Sequence, residues 1–344
     1  MKKYAILFGG VSFEHEISIV SAITLKKLLS NDTLFIFCDE FREFYLIEAK
    51  DLKASYFSKK EYKKCDKLLL KNGGFYRKTL LKEKRVEFDL LINLIHGKEG
   101  EEGIISSLLD FFSIDYIGPR VEASVISFNK EFTKLYASAR GVKTLPYVIL
   151  SKGSKKVSPF DYPVIVKPLR LGSSIGLGIA GDEREFDYAL DEAFEYDDIA
   201  LIEPFYKDIK EYNLAGTKTK DGFLFSMVEE PTKEGLLDFD KKYLDFSRSG
   251  GVNRANLDDK MVNEIKNAFK NIYDDLFSGA LIRCDFFEKD GILYLNEINP
   301  IPGSLANYLF DNFIEVLDKI YIPKKRDIKI DYRYINQINA AKGK

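Results

Sequence analysis

The chain has 344 residues, more than one hydrophobic core usually organises, so two or three packed domains are expected. Its 52 basic and 54 acidic side chains nearly cancel, leaving no uniform field to draw it onto nucleic acid or an anionic membrane, and the expected partners are small molecules. Cys38, Cys65 and Cys284 are too widely spaced for a zinc knuckle and odd in number, which argues against a disulfide framework and for a reducing, cytoplasmic setting.

The apolar run that opens the chain stops at Gly9, too short for a signal segment, and no stretch approaches the ~20 apolar residues of a membrane span. Tyr4 to Phe8 reads as a strand, Gly9-Gly10 as a turn, and Ile17, Val20, Ile23, Thr24 and Leu28 fall at helical spacing. Leu34 to Phe37 reads as a second strand. Phe88 to Ile95 reads as a third, apolar on both faces and ending at His96-Gly97. This alternation implies a parallel sheet, an N-terminal α/β domain over residues 1–120 closed by Gly118-Pro119. Residues 40–87 carry a hairpin signal at Asn72-Gly73 and no evident chemistry.

A helix over 129–139 ends near Gly141. From Tyr147 the pattern turns to short strands between glycine turns: 147–150, 164–166, 199–203, 213–217 and 223–228. That is an antiparallel α+β reading, divided into a central unit over 121–205 and a C-terminal one over 206–325. Met261 to Phe277 is an amphipathic helix, and Ala280 to Phe287 with Leu293 to Ile298 form a hairpin around Lys289-Asp290-Gly291. The basic tail, 326–344, is weakly patterned and reads as a peripheral segment.

The hairpin carries the clearest chemistry. Asp285 lies on its first strand, Glu297 and Asn299 lie two apart on its second, and a period of two turns all three to one face. Two carboxylates and an amide suit magnesium, which keeps open positions for nucleotide phosphates, and two ions could share Glu297. Arg283, on the same face, adds a cationic fork for a transferring phosphoryl group. The plain alternative, a solvated hairpin with a surface salt bridge, fits poorly with the apolar runs around it.

Lys167 sits in the apolar run Pro163-Val-Ile-Val-Lys167-Pro168, and Gly172-Ser173-Ser174-Ile175-Gly176 offers backbone donors; together they read as a nucleotide phosphate clamp. No Gly-Lys-Ser/Thr sequence marks a Walker loop. Glu203 and Glu211 flank a short charged loop where a hinge could hold adenine and a carboxylate could accept ribose hydroxyls. Glu14 is either a first-turn acid that compensates the helix dipole or the partner of a substrate ammonium. His96 sits at the carboxyl end of a buried strand, where open α/β sheets bind ligands.

Together these residues resemble the ATP-grasp enzymes and, within them, the D-alanine–D-alanine ligases, over nearly the whole chain. The matching blocks are Gly9-Gly10-x-Ser12-x-Glu14-His15-Glu16-x-Ser18, His96-Gly97-x-x-Gly100-Glu101-x-Gly103, Ser127-x-x-Lys130, Lys167-Pro168 with Gly172-Ser173-Ser174, Lys241-Lys242-Tyr243-Leu244, and Asn296-Glu297-x-Asn299-Pro300-x-Pro302-Gly303. The resemblance implies an ATP-grasp fold behind an N-terminal parallel-sheet domain. It implies that Glu14 holds the ammonium of a first D-alanine with His96 and Glu101 nearby, that Lys130 and Lys167 contact ATP phosphates, and that Glu203 and Glu211 read adenine and ribose. Ser173 and Tyr243 would link Glu14 to a mobile loop carrying Lys242. Asp285, Glu297 and Asn299 would ligate two magnesium (or manganese) ions, and Arg283 would stabilise the transferring phosphate.

The implied reaction activates the first D-alanine as an acylphosphate, which the amine of the second attacks, supplying a peptidoglycan precursor in the cytoplasm. A homodimer is implied by the resemblance alone. Two departures stand out. Leu236-Leu237-Asp238-Phe239 replaces a Phe-Tyr-Asp-Tyr loop sequence, and Tyr308 falls where a serine usually receives the second substrate's carboxylate. The rival readings are a ligase of the same fold with D-lactate or D-serine as acceptor, and a non-catalytic nucleotide-binding protein.

Overall fold

Six consecutive buried residues, Tyr4–Gly9, form β1, and only a strand covered on both faces buries every side chain in this way. The computed structural model describes residues 2–80, 82–231, 252–325 and 328–342, and three sheets are found among them. After β1 come α1 (His15–Lys26), β2 (Leu34–Cys38), β3 (Phe44–Ile47), α2 (Ala54–Ser58), β4 (Asp66–Lys71), β5 (Gly74–Lys78), β6 (Glu83–Arg85), β7 (Leu90–Asn93), α3 (Ile104–Phe111) and β8 (Tyr116–Ile117). The strands make one eight-stranded sheet ordered β6-β5-β4-β3-β2-β1-β7-β8.

That sheet contains the expected parallel strands and extends them with antiparallel ones. β2, β1, β7 and β8 run parallel, whereas β3 to β6 add antiparallel strands from residues 40–87, where the expectation is one hairpin and no chemistry. Connection length decides. Parallel neighbours need a crossover, whereas β2 returns into β3 through five residues, where the Asp39 carboxylate accepts from the Phe41 and Glu43 amides. The expected hairpin is present, with Lys71 opposite Gly74 across Asn72-Gly73.

α4 (Val121–Phe128) and α5 (Lys130–Ala139) lead into the second sheet. Its elements are β9 (Val148–Ser151), β10 (Val164–Pro168), β11 (Gly178–Ala180), α6 (Glu183–Ala193) and β12 (Ile199–Pro204). The strands are all antiparallel, in the order β11-β10-β12-β9. The third sheet holds β13 (Lys210–Thr219), β14 (Gly222–Glu229), β15 (Ile282–Lys289) and β16 (Ile292–Asn299), in the order β14-β13-β15-β16. Against it packs α7 (Asp259–Tyr273), with Ile265, Phe269, Ile272 and Tyr273 on one buried face at helical spacing.

The chain leaves β16 through a turn over Gly303–Leu309, in which Ser304, Leu305 and Ala306 have φ of 49°, 53° and 49°. Left-handed backbone costs a non-glycine residue roughly 1–2 kcal/mol. Burial offsets that cost: Leu305, Ala306 and Leu309 pack with Ile19 and Ala22 of α1, and the Ser304 amide donates to Ser21 Oγ at 3.0 Å. This joins the third sheet to the first. After α8 (Phe313–Lys319), the tail contains α9 (Arg333–Lys342), a helix that the weak sequence pattern did not indicate, and it buries none of its residues. Among the described residues no helix is long and apolar enough to cross a membrane.

Candidate active site

At the carboxyl ends of β1 and β7, neighbours in the first sheet, two loops meet over Glu14. The Ser12 hydroxyl donates to the His96 carbonyl at 2.8 Å and accepts from the Glu14 amide at 3.1 Å, fixing one loop on the other. Gly97 has φ +68°, and a Cβ there would lie 2.5 Å from Glu14 Oε2, so only glycine fits. The Ser173 hydroxyl, from the loop after β10, donates to Glu14 Oε1 and brings the second sheet to the first.

Two acceptors here are left over. Glu14 Oε2 and His96 Nε2 are buried without a hydrogen bond, a costly state for isolated polar atoms. Burial lowers the His96 imidazole to about 4, so it is neutral, and its Nδ1 contact to the Leu94 carbonyl at 2.8 Å places the proton on Nδ1. Nε2 therefore offers a lone pair. Burial raises the Glu14 carboxyl against the opposing Ser173 bond and Lys130 charge; burial, then the Glu14 charge, raises Glu101 well above the usual range. Electron-pair donors crowded in this way suit a small ammonium.

The β15–β16 hairpin supplies the next group. Asp285 faces Glu297 and Arg283 faces Asn299 across the pair, and a bulge after Asp285 leaves Asn296 as an extra residue. The bulge lets adjacent residues serve one site. Asn296 accepts from Lys167 Nζ at 3.3 Å, while Glu297 keeps its place with Asp285 and Asn299. Arg283 holds Asp285 with two bonds of 2.7 Å, and its Nη1 lies 3.4 Å from the Tyr308 hydroxyl. Tyr308 is thus beside the arginine.

Asp285 and Glu297 present carboxylate oxygens that fit a hard divalent cation, and Asn299, whose Nδ2 donates to both, would add its carbonyl oxygen once its amide is turned over. Among the described residues no cluster of three or more His, Cys, Asp or Glu could hold a metal, so phosphate or water oxygens would complete the coordination. Glu101, Lys130, Gly172, Glu297 and Asn299 line one cavity. Lys130 Nζ donates to the carbonyls of Pro168, at 3.1 Å, and Leu171, and burial brings its ammonium down to about 8.

A second cavity lies between the second and third sheets, lined by Ile165, Lys167, Glu203, Tyr206, Glu211 and Phe287. The Glu203 carboxylate, 2% exposed, bridges two ammonium groups: Lys167 Nζ at 2.7 Å and Lys134 Nζ at 2.5 Å. Burial alone would raise its pKa, but the two lysines outweigh burial and hold it below the ordinary range. The sequence reading missed Lys134 and Asn296. Lys134 stands one helical turn from Lys130 on the buried face of α5, and that spacing was the available signal.

The sequence-predicted Glu14, His96, Glu101, Lys130, Ser173, Arg283, Asp285, Glu297, Asn299 and Tyr308 all fall in or beside the first cavity and the loops above it, and Lys167, Glu203 and Glu211 line the second. Lys242, Tyr243 and Leu237 lie outside the described residues, as does the expected loop around 230–250 from residue 232 on.

Two antiparallel sheets with a cavity between them, and a carboxylate hairpin lining the cavity beside it, are the arrangement of an ATP-grasp ligase. The family description "D-ala D-ala ligase N-terminus" matches residues 3–119, and "D-ala D-ala ligase C-terminus" matches residues 137–315. The D-alanine–D-alanine ligases of Nitratiruptor sp. and Wolinella succinogenes are each 58% identical to this chain over 342 residues, covering 99% of both chains. A solved D-alanine–D-alanine ligase from Helicobacter pylori is 47% identical, with a TM-score of 0.85 over 95% of this chain and all of that one. This chain belongs to the D-alanine–D-alanine ligase family.

Proposed function

We propose that the chain joins two D-alanine molecules at the expense of ATP, through an acylphosphate, for peptidoglycan precursor synthesis. The observation that carries this reading is the meeting of buried, unbonded acceptors on Glu14 and His96 with a cavity lined by Lys130, Glu297 and Asn299. One end suits an amino acid's ammonium. The other suits a polyphosphate with its cation.

Glu14 and His96 receive the ammonium of the first D-alanine, with the Glu101 carboxyl nearby, and this aims its carboxylate toward Arg283. A carboxylate is a poor electrophile until an oxygen becomes a leaving group. It attacks the γ-phosphorus of ATP, ADP departs, and in-line positioning with charge neutralisation supplies the acceleration. Lys130 and Lys167 bear on the phosphates, Arg283 on the transferring group, and Glu203 and Glu211 on adenine and ribose. Two magnesium or manganese ions held by Asp285, Glu297 and Asn299 would spread the charge of the phosphate oxygens. The amine of the second D-alanine then attacks the acyl carbon, and phosphate leaves. Tyr308, beside Arg283, meets the second substrate's carboxylate.

The division into units over 1–120, 121–205 and 206–325, a homodimer and a cytoplasmic location belong to the same proposal. They rest on the sequence reading and on kinship. The test is ADP release with Mg-ATP and D-alanine, L-alanine, D-lactate or D-serine. Release with D-alanine, and D-alanyl-D-alanine as product, is expected. Preferred incorporation of D-lactate or D-serine would overturn the acceptor assignment, and no release with any of them would overturn the enzymatic one.

A further inference from the structure

Lys134 has no part in the reaction just described, yet it is the more deeply buried partner of Glu203. Its side chain is 3% exposed, its Nζ lies 2.5 Å from Glu203 Oε1, and it also donates to the Leu145 carbonyl at 3.3 Å. It lines neither of the two cavities, whereas Lys167 and Glu203 form a wall of the second. Lys134 therefore bears on the second cavity from behind its wall, through Glu203 and the carbonyl of Leu145.

We propose that Lys134 is a positioning residue: by occupying one oxygen of Glu203, it leaves the positive charge of Lys167 available to nucleotide phosphates. This rests on the nucleotide reading of the cavity. The argument is one of charge count. Two ammonium groups and one carboxylate sum to one positive charge at the wall, but Lys167 and Glu203 alone would sum to none. A buried carboxylate left with a single counter-ion holds it tightly, because separating the pair strands both charges away from water. With Lys134 on Oε1, Lys167 is bonded to Oε2 at 2.7 Å and to the neutral Asn296 amide at 3.3 Å, and phosphate oxygens compete with only half a carboxylate. α5 thus directs one lysine, Lys130, at the first cavity and a second, one turn on, at the carboxylate behind it.

The test is titration calorimetry of the full chain with ADP and with adenosine, both in magnesium, and the readout is the ratio of the adenosine Kd to the ADP Kd. Any change in the adenine pocket affects both ligands and cancels in this ratio. In Lys134→Met the wall loses its net charge, and the ratio is expected to fall on the order of tenfold, the worth of one charge-assisted hydrogen bond. Lys134→Met with Glu203→Gln restores one net charge, and the ratio is expected to return to within about threefold of the wild type. An unchanged ratio in Lys134→Met, or a double variant no better than the single, would overturn the proposal. If Lys134→Met does not fold, the double variant still decides: charge parity predicts the wild-type ratio, whereas a lysine irrelevant to phosphate predicts a higher one. Equal binding of adenosine and ADP by the wild type would overturn the nucleotide reading itself and this proposal with it.

Discussion

His96 and Glu101 make stability respond to pH in opposite senses. The unfolded chain protonates His96 near 6.5, whereas the buried imidazole resists protonation until about 4. The unfolded state binds more protons between those values, so stability is full above 6.5 and is lost as pH falls toward 4, by about 3 kcal/mol. His96→Gln is expected to flatten the fall in urea midpoint across that window, and an unchanged slope would refute the assignment. Glu101 has its carboxyl raised by burial and by Glu14, so the folded state keeps a proton that the unfolded state has released. Its contribution is present in acid and lost as pH rises beyond the ordinary carboxyl range. Glu101→Gln, which keeps the side chain neutral, should raise the melting temperature at neutral pH; a lower melting temperature would show that the carboxyl is ionised and compensated in the folded state. At this scale the sequence revealed which residues matter but not their protonation, because burial and the proximity of Glu14 to Glu101 depend on loops far apart in the chain.

Elements set by local pattern were legible, and elements set by their partners were less so. The β15–β16 hairpin, α7 and α5 lie within a few residues of their sequence-read bounds, since turn residues, periodicity and caps are written locally. The antiparallel extension through β3 to β6 was not read, because a strand's neighbour is chosen by tertiary closure rather than by its own residues. The bulge at Asn296 escaped for the same reason: a strict period of two cannot say where it will slip. α5 permits a direct check of local coding. Asn129 Oδ1 accepts from the Glu131 and Phe132 amides at 2.9 and 3.2 Å. Asn129→Ala should cost about 1 kcal/mol in a denaturant titration and raise the KM for ATP, because Lys130 begins this helix. A stability loss with no change in that KM would separate the cap from the site.

Across the whole molecule, the site exists only where three sheets meet, and one hydrogen bond spans two of them. Ser173, after β10, donates to Glu14 Oε1 at the edge of the first sheet, and the left-handed turn after β16 secures the third sheet against α1. Removing the Ser173 hydroxyl leaves both Glu14 oxygens without a donor. The bond lowers the Glu14 pKa against burial, so its loss pushes the carboxyl further toward the neutral form, which attracts an ammonium less. Ser173→Ala is therefore expected to raise the KM for the first D-alanine roughly tenfold, the worth of one hydrogen bond to a charged group. The nucleotide cavity lies between the other two sheets and does not use that hydroxyl. ADP affinity by calorimetry should change by less than about twofold, well under the tenfold that one such bond is worth. Parallel losses in both would mean that Ser173 holds the sheets together rather than tuning Glu14. A selective loss in D-alanine binding would show the two halves of the site to be energetically separable, even though neither is complete without the other.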